Sequence, residues 1–173
     1  LGAQLYLNTS HGAGGSTPAW TSGAPTVAPT AGTARTFTKA LLDTVCQSIY
    51  TNSGAFAEMV VVSPSHKVLF SGFTGIAANR FEVKGKAQGS VVGGADVYVS
   101  DFGSLTIVPH YLMVGSTNAY VLNSDYLDLA FLDGFVDSPL AKTGDSEKVL
   151  ITADCALTVR ASSAQGKIAD LTA

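Results

Sequence analysis

The chain has 173 residues and a formal net charge of −3, and this length suits one domain with its own hydrophobic core. Hydrophobic residues make up 46%, which excludes a disordered chain, and no run of Lys or Arg exists to contact phosphates, so sequence-specific binding to nucleic acid is not expected. Charged residues make up only 13%, against about 25% in a typical soluble domain, which favours association, although a secreted β-rich protein with a Ser/Thr surface fits the composition nearly as well.

The sequence gives little reason to expect a membrane span, a signal peptide or a disulfide. Segments 1–34 and 103–124 lack Asp, Glu, Lys and Arg, but neither is a continuous apolar run long enough to cross a membrane. No basic segment precedes an apolar one, so no signal peptide is expected, and the first residue, Leu1, predicts a processed or truncated product. Cys46 and Cys155 form no C-x-x-C pair, and we expect both to be buried free thiols.

Residues 1–36 are rich in Gly, Ala, Thr, Ser and Pro and cannot bury a core of their own. We expect an extended arm or loop, with room for one edge strand, anchored by Leu5, Tyr6, Leu7 and Trp20. The sequon at Asn8 carries little weight without a secretory signal.

Residues 37–50 carry apolar side chains at the spacing of one helical face, which predicts an α-helix. Thr36 or Thr38 can cap its start and Gly54 its end, and Cys46 should point at the core. The apolar run 59–62 predicts a strand buried on both faces. Ser63 and Pro64 then begin a short helix that ends near residue 72.

A polar stretch, 74–89, leads into a hairpin over residues 91–109. Val97 and Val99 lie on one face of its first arm, and Leu105 and Ile107 on one face of its second. The break at 101–103 predicts the turn, because Gly103 can take a positive φ and the Asp101 side chain can bond the backbone ahead of it.

Strands are also predicted at 119–122 and 126–132, followed by a loop from 133 to 144. Residues 148–160 form the longest alternation of apolar and polar residues in the chain. A strand of about 13 residues is more than twice the usual length. We expect it to run along a sheet and to tie two parts of the molecule together.

No catalytic, cofactor or metal site emerges from local patterns. His11, His66 and His110 are isolated from one another, and His66 is expected to lie solvated on the short helix. The triplet at 101–103 spells a kinase metal-binding motif, but the accompanying kinase motifs are absent. The sequence therefore predicts a protein that is not an enzyme.

Six blocks, taken in order, carry a family resemblance. They are Tyr50-Thr-Asn-Ser-Gly54, Val60-Val-Val-Ser-Pro-Ser-His-Lys67, Asp96-Val-Tyr-Val-Ser-Asp-Phe-Gly103 with Ile107-Val-Pro109, Val121-Leu-Asn-Ser-Asp-Tyr126, Leu140-Ala-Lys-Thr-Gly-Asp-Ser-Glu-Lys148 and Ala164-Gln-Gly-Lys-Ile-Ala-Asp-Leu171. Their order resembles the C-terminal part of the major capsid proteins of tailed bacteriophages, with the Hong Kong 97-like fold, over residues 36–173. The chain departs from that pattern at Cys155, where a larger residue is expected, and at Gln165, where His is common. The N-terminal arm, extended loop and spine helix of that fold are also missing.

The resemblance implies an α+β fold in which one long and one short helix pack on a mixed or antiparallel sheet. It divides the chain into an arm or loop (1–36), an axial-domain-like region (37–132) and a peripheral-domain-like loop and returning strand (133–173). It implies a structural virion subunit, made in the host cytoplasm, that forms pentamers and hexamers of an icosahedral shell around DNA. A piece of such a subunit need not assemble by itself and can be monomeric in isolation.

The resemblance also indicates which residues contact neighbouring subunits, all of them in two turns. They are Asp101, Phe102 and Gly103 in the first turn and Lys142, Asp145, Glu147 and Lys148 in the second. No cofactor, metal, membrane or sequence-specific nucleic acid is implied.

Two other classes of function stay open at this point. A β-rich surface module that binds carbohydrate or a receptor would need grouped exposed aromatic residues, and Trp20, Tyr98 and Tyr111 show no such grouping in the sequence. A hydrolase with a dispersed site would need a deep pocket with converging polar groups.

Overall fold

The computed structural model describes residues 8–21, 24–73, 96–142 and 144–172. Over these ranges, the chain forms the α-helices α1 (Lys39–Ser53) and α2 (Pro64–Ser71). The strands are β1 (Thr9–Ser10), β2 (Ala19–Thr21), β3 (Ala24–Val27), β4 (Met59–Val62), β5 (Val97–Ser100), β6 (Gly103–Pro109), β7 (Ala119–Leu122), β8 (Leu127–Pro139), β9 (Val149–Val159) and β10 (Gly166–Ile168).

The main sheet has six strands in the order β1-β10-β7-β4-β6-β5. Its pairs β1·β10 and β4·β6 are parallel and the others are antiparallel, so the sheet is mixed. The strand pairs β2·β3 and β8·β9 form two separate two-stranded sheets. Two helices and a mixed sheet confirm the predicted α+β class.

The core lies between one face of the main sheet and the helices. Helix α1 turns Leu42, Val45, Cys46 and Ile49 inward, as its periodicity predicts, and Gly54 ends it at φ 68° with its N–H on the Tyr50 carbonyl. The sheet contributes side chains that the strand register places on one face: Tyr98, Leu105, Ile107, Val60, Val62, Val121 and Ile168. The helix begins two residues later than predicted and ends three residues later.

The segment from β4 into α2 follows its predicted capping chemistry. The Ser63 hydroxyl accepts the N–H of His66 at 3.3 Å, and Pro64 occupies the first helical position. The prediction that β4 is buried on both faces is wrong, because Val60 and Val62 are buried whereas Met59 and Val61 are only partly buried. The core covers one face of the strand.

His66 is fully buried, so the prediction of a solvated side chain is wrong. Its Nδ1 lies 2.8 Å from the Ser63 hydroxyl and its Nε2 lies 2.9 Å from the carbonyl of Thr172. The second partner comes from the far end of the chain, 106 residues away, which no local pattern reveals.

The predicted hairpin is confirmed as β5 and β6, and its turn lies where expected, with Gly103 at φ 131°. The Ser100 hydroxyl, rather than Asp101, is the group seen to hold the turn: it accepts the N–H of Phe102 and donates to the Gly103 carbonyl. The buried residue of β5 is Tyr98, while Val97 and Val99 face solvent. The expected start of the hairpin, 91–95, and the polar stretch 74–89 lie outside the described residues.

Strand β8 continues to Pro139, so the loop predicted from residue 133 begins too early. Among the described residues, β9 pairs with β8 alone, and it neither runs along the main sheet nor ties two parts together as predicted. The alternation is present, but nearly all of the strand's side chains are exposed. Cys155 is consequently exposed on β9, which corrects the expectation of a second buried thiol, although both cysteines are free.

The N-terminal segment supplies the edge strand β1 and the small β2·β3 hairpin, which contains Trp20. Leu5, Tyr6 and Leu7 lie outside the described residues. Asn8 is 2% exposed, so the folded chain does not present its sequon for glycosylation. The division at residues 36/37 and 132/133 stays a prediction.

Candidate functional site

The most unusual surface of the molecule is the ribbon, the two-stranded sheet of β8 and β9. Each of its residues is exposed except for Leu127, Ala153 and Val159, which are partly buried. Its large exposed apolar side chains are Leu129, Phe131, Leu132, Phe135, Val136, Val149, Leu150, Ile151 and Leu157, with Leu140 just beyond β8. Contiguous apolar surface of this extent is rare on a soluble monomer and marks an interaction site.

Both faces of the ribbon are apolar. Neighbouring residues of a regularly paired strand point to opposite faces, so Leu150 and Ile151 lie on different sides. Leu150 is 47% exposed and Ile151 is 68% exposed. The ribbon therefore needs covering on two sides, which a single layer of the same chain would not provide.

The base of the ribbon is fixed by buried amides and surface charges. Gln165 is fully buried, accepts the N–H of Asn123 at 2.8 Å and donates to the Asn123 carbonyl at 2.8 Å. Arg160 bonds the Tyr126 carbonyl through its N–H and forms an ion pair with Asp128. Gln165 stands where the resembled family commonly has His. It thus joins the two segments of the chain that lead into and out of the ribbon.

The far end of the ribbon carries the second predicted contact set. The N–H of Leu140 bonds the carbonyl of Lys148 at 3.0 Å, which closes the two strands just before the turn. Lys142 and Glu147 form an ion pair at 3.1 Å with both side chains largely in solvent. Such a pair stabilises the isolated chain by less than about 1 kcal/mol. Its charges and that of Asp145 are exposed to any neighbouring molecule.

The first predicted contact set lies at the β5–β6 turn, where three aromatic rings meet. The Tyr50 ring centroid is 5.4 Å from that of Phe56 and 5.5 Å from that of Phe102. Tyr50 is 44% exposed and Phe56 is 52% exposed. We call Tyr50, Phe56 and Phe102 the tip patch, with Asp101 exposed beside it. Sequence reasoning found Phe102 and Asp101 but missed the two rings that flank the end of α1.

A carboxylate clasp joins the N-terminal segment to the end of the chain. Asp170, itself at φ 59°, accepts the N–H of Gly12 at 3.0 Å and lies 3.3 Å from Nδ1 of His11. Burial raises the pKa of this carboxyl, but bonds from the Gly12 and Gly32 amides and from His11 outweigh it and leave the pKa below its ordinary value. A Cβ on Gly32 would lie 2.7 Å from the carboxylate, so this close approach requires glycine.

The two thiols lie in different surroundings, Cys46 in the core and Cys155 on the ribbon. Burial, aided by Asp43, raises the pKa of the Cys46 thiol to about 12. A shallow groove of about 410 Å³ lies on the ribbon beside Cys155 and is lined mainly by carbon atoms of Phe131, Leu132 and their neighbours. Within the described ranges, no three His, Cys, Asp or Glu side chains are placed to hold a metal ion. Nor does any described helix have the length and apolarity to cross a membrane.

A known protein family matches almost the whole chain. A family model described as SU10 major capsid protein matches residues 3–172. The chain belongs to this family. No curated protein matches it. As a major capsid protein it is a structural component of a bacteriophage virion, which confirms the resemblance at the level of the capsid family. The Hong Kong 97-like fold stays a prediction.

The capsid chain carries its seven predicted contact residues at the turns of two different hairpins. Asp101, Phe102 and Gly103 lie at the β5–β6 turn, and Lys142, Asp145, Glu147 and Lys148 lie at the end of the ribbon. Of the aromatic residues considered for a surface-binding module, Tyr98 is buried and its hydroxyl donates to Asp43, while Tyr111 is exposed. The sequence analysis did not predict the apolar surface of the ribbon as an interaction site, although it identified the alternating residues of β9.

Proposed function

We propose that this chain is a self-assembling structural subunit whose repeated contacts build an icosahedral shell around packaged DNA. Pentamers and hexamers of the full-length protein form the shell, which is made in the host cytoplasm and becomes part of the virion. The chain has no catalytic function and needs no cofactor. The observation that supports this proposal most strongly is a ribbon that exposes apolar side chains on both faces in a capsid family member.

The physical reason is the cost of leaving the ribbon in water. Burying apolar surface stabilises an assembly by about 25 cal/mol per Å², and a standard contact buries about 800 Å² on each partner. Much of this gain is offset by the lost freedom of the subunits, so each contact is modest. A closed shell repeats the same contacts many times, and this repetition gives it stability.

The charged turns have a different role from the ribbon's apolar faces. Asp101 and the exposed set of Lys142, Asp145, Glu147 and Lys148 contact adjacent subunits and fix their register. Charges at the rim of an interface affect orientation and association rate more than affinity. The ribbon supplies the affinity, and the turns select the correct neighbour.

The experiment introduces Phe131→Ser together with Leu132→Ser in the full-length protein. The matched control is Val68→Ser on α2, another exposed apolar residue at 74% exposure. We expect the ribbon variant to keep the circular dichroism and melting temperature of the parent subunit but to form no shells by sedimentation and electron microscopy. The control should assemble normally. Normal shells from the ribbon variant would contradict the proposal.

The turn residues are tested separately by reversing charge at Asp145 and Glu147 together. We expect slow or misassembled particles from a normally folded subunit, because the register contacts would then repel. If intact particles form at the parental rate, this turn is not a contact between subunits.

A further inference from the structure

Strand β6 separates two apolar patches, whose members are exposed except for the partly buried Phe102. At its start lies the tip patch of Tyr50, Phe56 and Phe102. The Phe56 ring packs beside Gly103, since a Cβ added to that glycine would lie 3.5 Å from the ring. Just after its end the chain turns through a short 3-10 helix, Tyr111–Met113. We call the exposed residues there, Tyr111, Leu112 and Val114, the turn patch; they are 75%, 73% and 72% exposed.

The two patches lie at opposite ends of the sheet. Strand β6 runs from Gly103 to Pro109 in seven residues, and a strand of that length spans about 20 Å at about 3.3 Å per residue. The carbonyl of Val62, at the end of β4, still accepts the N–H of His110, so the turn patch begins where the sheet ends. Two different apolar surfaces at opposite ends suit a head-to-tail contact, which forms a ring when the rotation between subunits closes, rather than a two-fold contact of one surface with itself.

A donor and an acceptor accompany the two patches. Asp101 is exposed beside the tip patch and offers carboxylate oxygens. His110 is exposed beside the turn patch, and its ring stacks on Tyr111 with centroids 5.4 Å apart. Its Nδ1 accepts the N–H of Leu112 at 3.3 Å, so the neutral ring carries its proton on Nε2. The chemistry of the two ends is therefore complementary.

We infer that the tip patch of one subunit docks on the turn patch of the next, with the Asp101 carboxylate accepting from His110 Nε2–H. The occupant of each patch is a second copy of this chain, and the inference rests on the proposed shell function. Both surfaces are held before docking, the tip by ring contacts and the turn by the His110–Tyr111 stack, so little side-chain freedom is lost on binding.

The test is a charge swap in the full-length protein. Asp101→Lys places an ammonium opposite the His110 donor, and His110→Glu places a second carboxylate opposite Asp101. Each variant alone should therefore raise the protein concentration needed for assembly at least tenfold. The double variant D101K/H110E restores an opposite-charge pair and should recover parental assembly. Ser104→Lys, at an exposed position on β6, controls for added charge.

Mixing the two single variants tests the head-to-tail geometry. In an alternating ring, Lys at 101 meets Glu at 110, and Asp101 of the second variant meets His110 of the first. A one-to-one mixture should therefore form even-numbered rings such as hexamers, but not pentamers. A contact of each patch with itself predicts no recovery in the double variant, because two Lys side chains would then meet at the tip and two Glu side chains at the turn.

The outcomes separate this inference from the proposal beneath it. If the parent forms shells but the double variant and the mixture stay as impaired as the single variants, the docking inference is wrong and the shell function stands. Shells from D101K at the parental concentration also overturn the inference. If the full-length parent remains monomeric under all assembly conditions, both fail. Circular dichroism and melting curves for every variant confirm that each subunit is folded.

Discussion

Asn8 is a buried residue whose side-chain amide finds hydrogen-bond partners on two other segments of the chain. Its Nδ2 donates to the carbonyls of Ser163 and Gln165, and its Oδ1 accepts from Ser48 and from Asn52. The two carbonyls lie more than 150 residues away along the chain. Asn8 therefore connects the N-terminal segment, α1 and the approach to β10.

Replacing Asn8 with Ala should lower the free energy of unfolding by about 2–3 kcal/mol, because it leaves buried polar groups without partners. Urea unfolding of the chain measures this loss. Asn52→Ala is the matched control, since this side chain is exposed, and it should cost less than about 1 kcal/mol. Equal losses for the two variants would show that Asn8 is not the centre of this network.

Asp170 makes stability depend on pH with a definite sign. Its folded pKa lies below the ordinary value of 3.8, so the folded chain binds the proton more weakly than the unfolded chain does. The charged carboxylate therefore contributes stability above about pH 4, and this contribution disappears as the pH falls through the lowered folded value. Arg35 and Lys167 are the nearby cations, and both interact with this carboxylate.

Asp170→Asn keeps the shape of the side chain but removes its charge. We expect the variant to be less stable than the parent at pH 6, with the difference shrinking towards pH 3. Urea unfolding at both pH values gives the two differences. A difference that is unchanged or larger at pH 3 would show that the carboxylate charge is not what holds the clasp.

At the scale of elements, loss of an apolar group should destabilise the core sheet strongly and the ribbon hardly at all. Leu105 on β6 is 1% exposed and Leu132 on β8 is 86% exposed. Leu105→Ala should cost about 2–4 kcal/mol of unfolding free energy, because it leaves a cavity. Leu132→Ala should change it by less than about 0.5 kcal/mol. Urea unfolding of this chain separates the cases, and a large loss for Leu132→Ala would mean that the ribbon packs on its own subunit.

Local signals were sufficient for the elements that local chemistry determines. The start of α2 at Ser63–Pro64 and the turn at 101–103 appear where predicted, and α1 has the predicted inward face with ends shifted by two and three residues. The failures depend on long-range partners. His66 was expected in solvent because Thr172, its partner, is distant in sequence, and Cys155 was expected inside because alternation alone does not show whether an apolar face is covered.

The contact residues illustrate the same limit. Charges in turns, such as Asp101 and Lys142, are visible in the sequence, but the grouping of Tyr50 and Phe56 with Phe102 requires α1 and the hairpin to be in place. The apolar ribbon could have been suspected from Leu150 and Ile151, because adjacent large apolar residues in one strand occupy both faces.

At the scale of the whole molecule, the low content of charged residues and the exposed ribbon have a common explanation. A chain with only 13% charged residues and apolar side chains along both faces of a ribbon lacks a surface suited to remaining in water. In a capsid family member, neighbouring subunits are the natural cover for these faces. The central claim is therefore that the ribbon is buried in the assembled particle.

The two native thiols test this claim without any substitution. Cys155 is exposed on the ribbon, while Cys46 is buried with its pKa raised to about 12, so Cys46 should not react in a folded subunit and serves as the internal control. We expect a maleimide to label Cys155 at least tenfold more slowly in assembled particles of the full-length protein than in dissociated subunits. Equal labelling rates in the two states would show that the ribbon stays open to water and would contradict the account.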